Sequence, residues 1–307
     1  MNTSAASTTS SVISTAQTAS LAAEEARKID WNAPWLAHLA PRLRLLDAQA
    51  PQKWAQADDM KAALNHAVAQ LQAQGLAMQT GLGKPLHFIA QEDLPHGQAY
   101  EVHIAQTGGV PTRLNLHDFF NASIWLTFPR IKAVLNARQN EQISAHGVTH
   151  QRGMARDALT LFDENSALLV TSNASIATAL RQFDWDNALV APRNLWENPR
   201  VPSADAQTVL YLFGHALMDK LTGPRKPMCA HTWVVMVDPT WFALNPVARM
   251  DEVDTRLAEQ LRTHAFHTHD FCPLPVLGVP HFYQDNADAN FYNDKQVFRA
   301  GRLRLCK

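Results

Sequence analysis

Helical and strand-like hydrophobic patterns succeed one another along this chain at short spacings, with no internal repeat and no interdomain linker between them. Elements joined by short connections pack on a common core. A single domain is therefore expected, although a length of 307 residues would permit two. Apolar residues make up 46% of the chain and charged residues 18%, enough for a core that removes about 75% of the unfolded surface from water.

Residues 1–28 are rich in Ser, Thr and Ala and nearly lack large apolar side chains. Such a stretch cannot offset the entropy of ordering, so a disordered N-terminal tail is expected, followed by one globular domain over 29–307. Trp31, Trp35, Leu36 and Leu39 recur at helical intervals, and Leu64, Val68 and Leu71 line a second helix that begins at Asp58 and stops at Gly75. Alternation through Leu86, Phe88, Tyr100, Val102 and Ile104 around Pro95-His96-Gly97 predicts a hairpin. Helices are expected over 116–127, 129–138 and 152–164 with a bend at Pro129, and strands over 168–171 and 233–237. A further helix is predicted from Ser203 to Gly223, which would set Tyr211, His215 and Asp219 one turn apart. After a helix over 251–263, Pro273, Pro275 and Pro280 predict an ordered C-terminal arm from about residue 272 that wraps over the body. The fold class is α+β, helix-rich, with a small antiparallel sheet or hairpins.

Lys and Arg number 27 against 28 Asp and Glu, a balance that argues against long nucleic acids and membrane surfaces as partners. No apolar run approaches the roughly 18 residues that span a bilayer, and no secretory leader is recognisable. A cytoplasmic protein is expected. Cys229, Cys272 and Cys306 are too scattered for a disulfide framework or a Cys-x-x-Cys site.

Four groups of residues carry candidate chemistry. In Leu114–Asn121, the imidazole of His117 and the amide of Asn121 share a helical stripe, and Asp118 stands at the helix start, where capping alone would account for a carboxylate. In Arg156–Asn165, Asp157, Thr160 and Glu164 share a face that suits a hard cation or a general base, and equally a solvated helix face. In Tyr211–Lys220, His215 stands beside Gly214, a glycine whose presence in an element implies close approach of another segment or a ligand. Cations gather over Arg130–Arg156, at Arg225-Lys226 and over Lys295–Lys307, so anion sites can exist on a neutral chain. The cluster His264, His267, His269 and Asp270 straddles a helix end, where side chains diverge, which makes it a weak metal site. Phosphate loops, nucleophile elbows and His-Glu-x-x-His are absent.

The motifs Asn115-Leu116-His117-Asp118-Phe119-Phe120-Asn121, Trp125-Leu126-Thr127-Phe128-Pro129-Arg130, Arg156–Asn165 and Phe213-Gly214-His215-Ala216 extend to Pro224-Arg225-Lys226, Pro273–Pro280, Phe291-Tyr292 and Val297-Phe298-Arg299. Together they resemble an uncharacterised bacterial family, a domain of unknown function, over roughly residues 30–303. Where that pattern has Gly-Trp after Pro280, this chain has His281-Phe282. The resemblance implies positions, and no reaction, substrate or cofactor.

The favoured reading is a hydrolase acting on a small anionic, phosphorylated substrate in a His/Asp cleft. His117, Asp118, Asp157 and His215 are the catalytic candidates, and Arg113, Asn121, Arg156, Arg225 and Lys226 the substrate-binding ones. Glu164 is the candidate ligand for a divalent metal. The competing reading is a non-catalytic protein that binds a ligand in the same pocket, or a partner on the aromatic helix; a third is a packing scaffold with satisfied polar groups. The first needs His117, Asp157 and His215 within about 12 Å of one another, and the second needs Phe119, Phe120 and Trp125 on an exposed patch. Oligomeric state is left open.

Overall fold

In a computed structural model of the chain, residues 29–46, 57–146, 153–201 and 203–301 are described. The expected N-terminal tail lies outside them. Three short helical turns, Pro34–Leu39, Ala40–Leu43 and Arg44–Leu46, open the domain and bury Trp35, Leu36 and Leu39. Helix α1 (Ala57–Ala73) buries Leu64, Val68 and Leu71 as its spacing predicts, and Gly75, at φ 87°, turns the chain out of it.

The expected hairpin is replaced by a strand–helix–strand unit. Strand β1 (His87–Ala90) leads through a loop to helix α2 (Tyr100–Thr107), and β2 (Gly109–Thr112) pairs with β1 in parallel. Parallel neighbours require a crossover, and here a helix fills it. The spacing Tyr100, Val102, Ile104 suits a strand, but Tyr100 and Ile104 are also one helical turn apart, and α2 buries His103, Ile104 and Ala105.

Helices α3 (Leu116–Thr127) and α4 (Pro129–His146) follow with the expected break between them. Helix α5 (Met154–Asn165) passes directly into strand β3 (Ser166–Thr171), which helix α6 (Ala174–Arg181) follows. The helix expected from Ser203 to Gly223 is instead strand β4 (Thr208–Leu212) and a short helix α7 (His215–Lys220). Every residue of Thr208-Val-Leu-Tyr-Leu212 is buried, and β-branched and aromatic residues favour a strand covered on both faces. Tyr211, His215 and Asp219 therefore do not form one helical stripe.

Strand β5 (Cys229–Met236), helix α8 (Pro246–Thr263) and strand β6 (Cys272–Pro275) complete the body. The four-stranded sheet has the order β4-β3-β5-β6. It is mixed rather than purely antiparallel, because β3 and β5 run in parallel while the outer pairs are antiparallel. The C-terminal arm is ordered: it begins as the edge strand β6 and continues as 3-10 turns that bury Tyr292 and Phe298. Among the described residues no helix is long and apolar enough to cross a membrane.

Candidate metal centre

Two chain junctions meet at one end of the sheet. Ala167 on β3 faces Leu212 on β4, and the amides of Phe213 and Gly214 both donate to the Ser166 carbonyl, at 3.1 and 2.8 Å. Glu164, in the last turn of α5, and His215, the first residue of α7, are thereby set side by side. A Cβ added to Gly214 would lie 2.4 Å from Ser166 N and 2.5 Å from Asn165 N. The glycine is needed because another backbone passes there, which answers the close approach expected from its presence. Helix α3 packs on α7 and brings His117 in from its first turn.

The result is a convergent group. One ligand atom from each of His117, Glu164 and His215 lies within 4.8 Å of the others, and among the described residues no other set of three or more His, Cys, Asp or Glu converges this way. The two imidazoles meet edge to face, with centroids 4.5 Å apart. Ligands of a tetrahedral ion with bonds of about 2.1 Å stand about 3.4 Å apart, which falls inside the 4.8 Å within which these three atoms lie. The donor set itself, two imidazoles and a carboxylate, suits a divalent transition metal with open positions.

His215 is held neutral. Burial pushes its pKa down to about 4, and nearby Lys132 and His117 act in the same direction against the pull of Asp163. Its Nδ1 is buried without a hydrogen-bond partner. An unpartnered ring nitrogen in the interior is costly, and in the tautomer that leaves Nδ1 bare, coordination to a metal would satisfy it.

A polar layer backs the three residues. Lys132 on α4 donates to Asp163 Oδ1 at 2.5 Å and to Asn121 Oδ1 at 2.9 Å, and Asn121 Nδ2 donates to the Tyr100 hydroxyl at 3.1 Å. Burial alone would raise the Asp163 carboxyl, but Lys132, aided by His215 and His117, holds it below the usual carboxylate range. Next to this layer lies a cavity of about 170 Å³, lined by Glu101, Gln139, Ile143, Arg156, Thr160, Asp163 and Glu164. Asn136 Nδ2 donates to Glu101 Oε2 at 2.6 Å, and Gln139 turns its amide nitrogen toward both Glu101 oxygens, at 3.1 and 2.9 Å. Burial, reinforced by the charge of Asp163, lifts the Glu101 carboxyl to about 7.

The other nominated residues have different employment. Asp118 accepts from Arg113 N, Nε and Nη2 at 2.7, 3.0 and 3.1 Å, and Asn115 Oδ1, not Asp118, caps α3. The Asp118–Arg113 pair pins the helix entry, so Asp118 has no free carboxylate for catalysis and Arg113 is not a free anion handle. Asp157 is exposed and lies two turns, about 10 Å, before Glu164 along α5; it is outside the cavity lining, whereas Thr160 and Arg156 belong to it. Asn121 is buried as a link to Lys132 and Tyr100 rather than presented to a substrate. Lys226 is tied to Asp294 at 3.2 Å and sits 4.2 Å from the Phe291 ring centroid, which anchors the C-terminal arm, and Arg225 is an exposed turn residue. Neither lines the cavity. Phe119, Phe120 and Trp125 are core residues, 2%, 0% and 1% exposed, so the aromatic helix offers no partner surface. The histidines near 264–270 pair off and form no convergent ligand set: His264 Nε2 pairs with Asp270 Oδ2 at 2.9 Å, and the His267 and His269 rings stack on each other.

Sequence reasoning missed Lys132, Asp163, Glu101 and Gln139 as members of the site. The signal was present in part: Lys132, Asn136 and Gln139 form a buried polar stripe at i, i+4 and i+7 of α4, a pattern out of place on a core face.

No curated protein and no solved structure matches the chain. A family model does match, over residues 86–302, and that span holds His117, Glu164, His215 and the polar layer behind them. The chain belongs to the family described as protein of unknown function, DUF3025.

Proposed function

We propose that the protein is a metal-assisted hydrolase of a small anionic ester, with His117, Glu164 and His215 as the ligands of one divalent ion. The observation that carries this reading is the convergence of their three ligand atoms within 4.8 Å, beside a cavity that Glu164 also lines. A divalent ion in such a place lowers the pKa of a bound water toward neutrality and polarises the bond to be cut. The protein's own residues supply the rest. Arg156, the one nominated cation that reaches the cavity, meets the anionic group, Thr160 offers a hydroxyl donor, and Glu101, fixed by Asn136 and Gln139, stands ready to take a proton.

Charge supports an anionic substrate only once the metal is in place. Without it, Glu101 and Glu164 outweigh Arg156, while Lys132 and Asp163 cancel. A divalent ion offsets the two glutamates, and Arg156 then leaves the site net positive. Metal uptake and anion binding are therefore coupled.

Elemental analysis and a Zn²⁺ thermal-shift titration test the centre. One metal per chain is expected, with uptake lost in His117→Ala and His215→Ala while their metal-free melting temperatures stay within a few degrees of the wild type. Metal uptake unchanged in both variants would refute the ligand set. For the chemistry, the zinc-loaded protein is expected to hydrolyse p-nitrophenyl phosphate, with Arg156→Gln raising KM more than it lowers kcat. Phosphate binding without turnover would instead favour the ligand-binding reading.

A further inference from the structure

Lys132 projects from α4 between the two helices that carry His117 and Glu164. Its ammonium is 2.5 Å from Asp163, which precedes Glu164 on α5, and 2.9 Å from Asn121, which stands one turn beyond His117 on α3. It also sits 5.3 Å from the centroid of the Trp125 ring. The Lys132 and Asp163 side chains are only 5% and 10% exposed. A buried ion pair of this kind is weak evidence for stability, because well-packed apolar residues of similar size often serve the fold as well or better. What a fixed ammonium adds is geometry: its donors, spent on acceptors from two helices, set how far apart those helices stand. A metal centre needs that, since its ligands must be held to within about 0.5 Å by the groups behind them.

We infer that Lys132 is a positioning residue of the metal centre. It ties Asn121 to Asp163 and so fixes the first turn of α3 and the last turn of α5, with His117 and Glu164 on them, at ligating separation. By taking up Asp163 Oδ1 it also leaves Glu164 as the carboxylate that faces the two imidazoles. This role rests on the metal-centre reading above and extends it to a residue that touches no ligand position itself.

The test is a Zn²⁺ competition titration, together with the visible absorption of bound Co²⁺, on the full chain as wild type, Lys132→Met and Lys132→Met/Asp163→Leu. Lys132→Met strands the Asp163 charge in the interior and is expected to lower the melting temperature. The double variant removes both charges and is expected to recover it. Zinc affinity should nonetheless fall at least about 10-fold in the double variant, as it does when groups behind metal ligands are removed, and the Co²⁺ spectrum should change in shape. A double variant that binds zinc as tightly as the wild type, with the same Co²⁺ spectrum, would overturn the positioning role while leaving the centre intact. A wild type that takes up neither ion would overturn the centre itself.

Discussion

At the scale of single residues, neighbours in sequence end up with unrelated tasks. His117 faces Glu164 and His215 while Asp118, one residue on, is held by three donors from Arg113; a step of about 100° along a helix is enough to separate them. Glu164 and Asp163 divide likewise, one turned to the histidines and one to Lys132. The helical stripe through His117 and the polar face through Glu164 were legible in the sequence, because i, i+4 geometry is local. Lys132 showed only as part of a polar stripe with Asn136 and Gln139 on α4, because its pairing with a residue 31 positions away leaves no local trace. Gly214 was legible as a sign of crowding but not of what crowds it. Its replacement by Ala is expected to cost about 2–3 kcal/mol, since backbone atoms at 2.4 and 2.5 Å cannot move aside as a side-chain tip would. A urea-melt midpoint for Gly214→Ala that matches the wild type would show that the two junctions are farther apart than this.

At the scale of elements, α4 shows how a helix end is satisfied from a distance. Its first residue, Pro129, has no N–H to leave unpaired, but the next two amides do. Arg130 N donates to Asp254 Oδ2 at 3.0 Å and Ile131 N to Oδ1 at 2.9 Å, so a buried carboxylate on α8 serves as the N-cap of α4. Burial lifts that carboxyl to about 6 in spite of both amides and Arg130. Asp254→Ala strands two buried donors and is expected to destabilise the protein by about 3 kcal/mol, with Asp254→Asn milder because its carbonyl still accepts. Equal melting temperatures for Asp254→Ala and the wild type would rule out the cap. Pro129 marked the break in the sequence; the capping partner, 124 and 123 residues away from the amides it serves, did not show. The two misread elements fail for one reason. Tyr100–Ile104, an apolar/polar alternation, and Thr208–Leu212, a short apolar run, are segments in which helical and strand spacings overlap, and burial on the neighbouring sheet or helix decides between them.

At the scale of the whole molecule, acid stability should report how completely the core excludes water. His38 is buried, stacked against both the Phe128 and the Tyr211 ring, and its Nε2 donates to the Leu212 carbonyl at 2.7 Å. Burial outweighs that bond and lowers its pKa from 6.5 to about 4. The unfolded chain therefore binds a proton below about 6.5 that the folded chain refuses until about 4, so this group's contribution is present at neutral pH and is lost as the pH falls through that window. His215 acts in the same sense, whereas Asp254 and Glu101, whose carboxyls are raised to about 6 and about 7, act in the opposite one. A comparison isolates His38: the stability difference between wild type and His38→Gln should shift against the wild type by about 3 kcal/mol from pH 7 to pH 4. Parallel stability curves for the two proteins across that range would contradict it.

Helical periodicity, breakers and apolar content act over a few residues, so the class of fold and most of the helices are readable along the chain. His117, Glu164 and His215 stand out there too, since their residue types carry the chemistry wherever they are. Which of the candidates meet is set by packing between distant segments. Convergence at the sheet end depends on the β3–β4 register, on a glycine that lets two junctions touch, and on one buried ammonium between helices. Those contacts join residues from 11 to 98 positions apart, and hydrophobic pattern carries no record of such pairings.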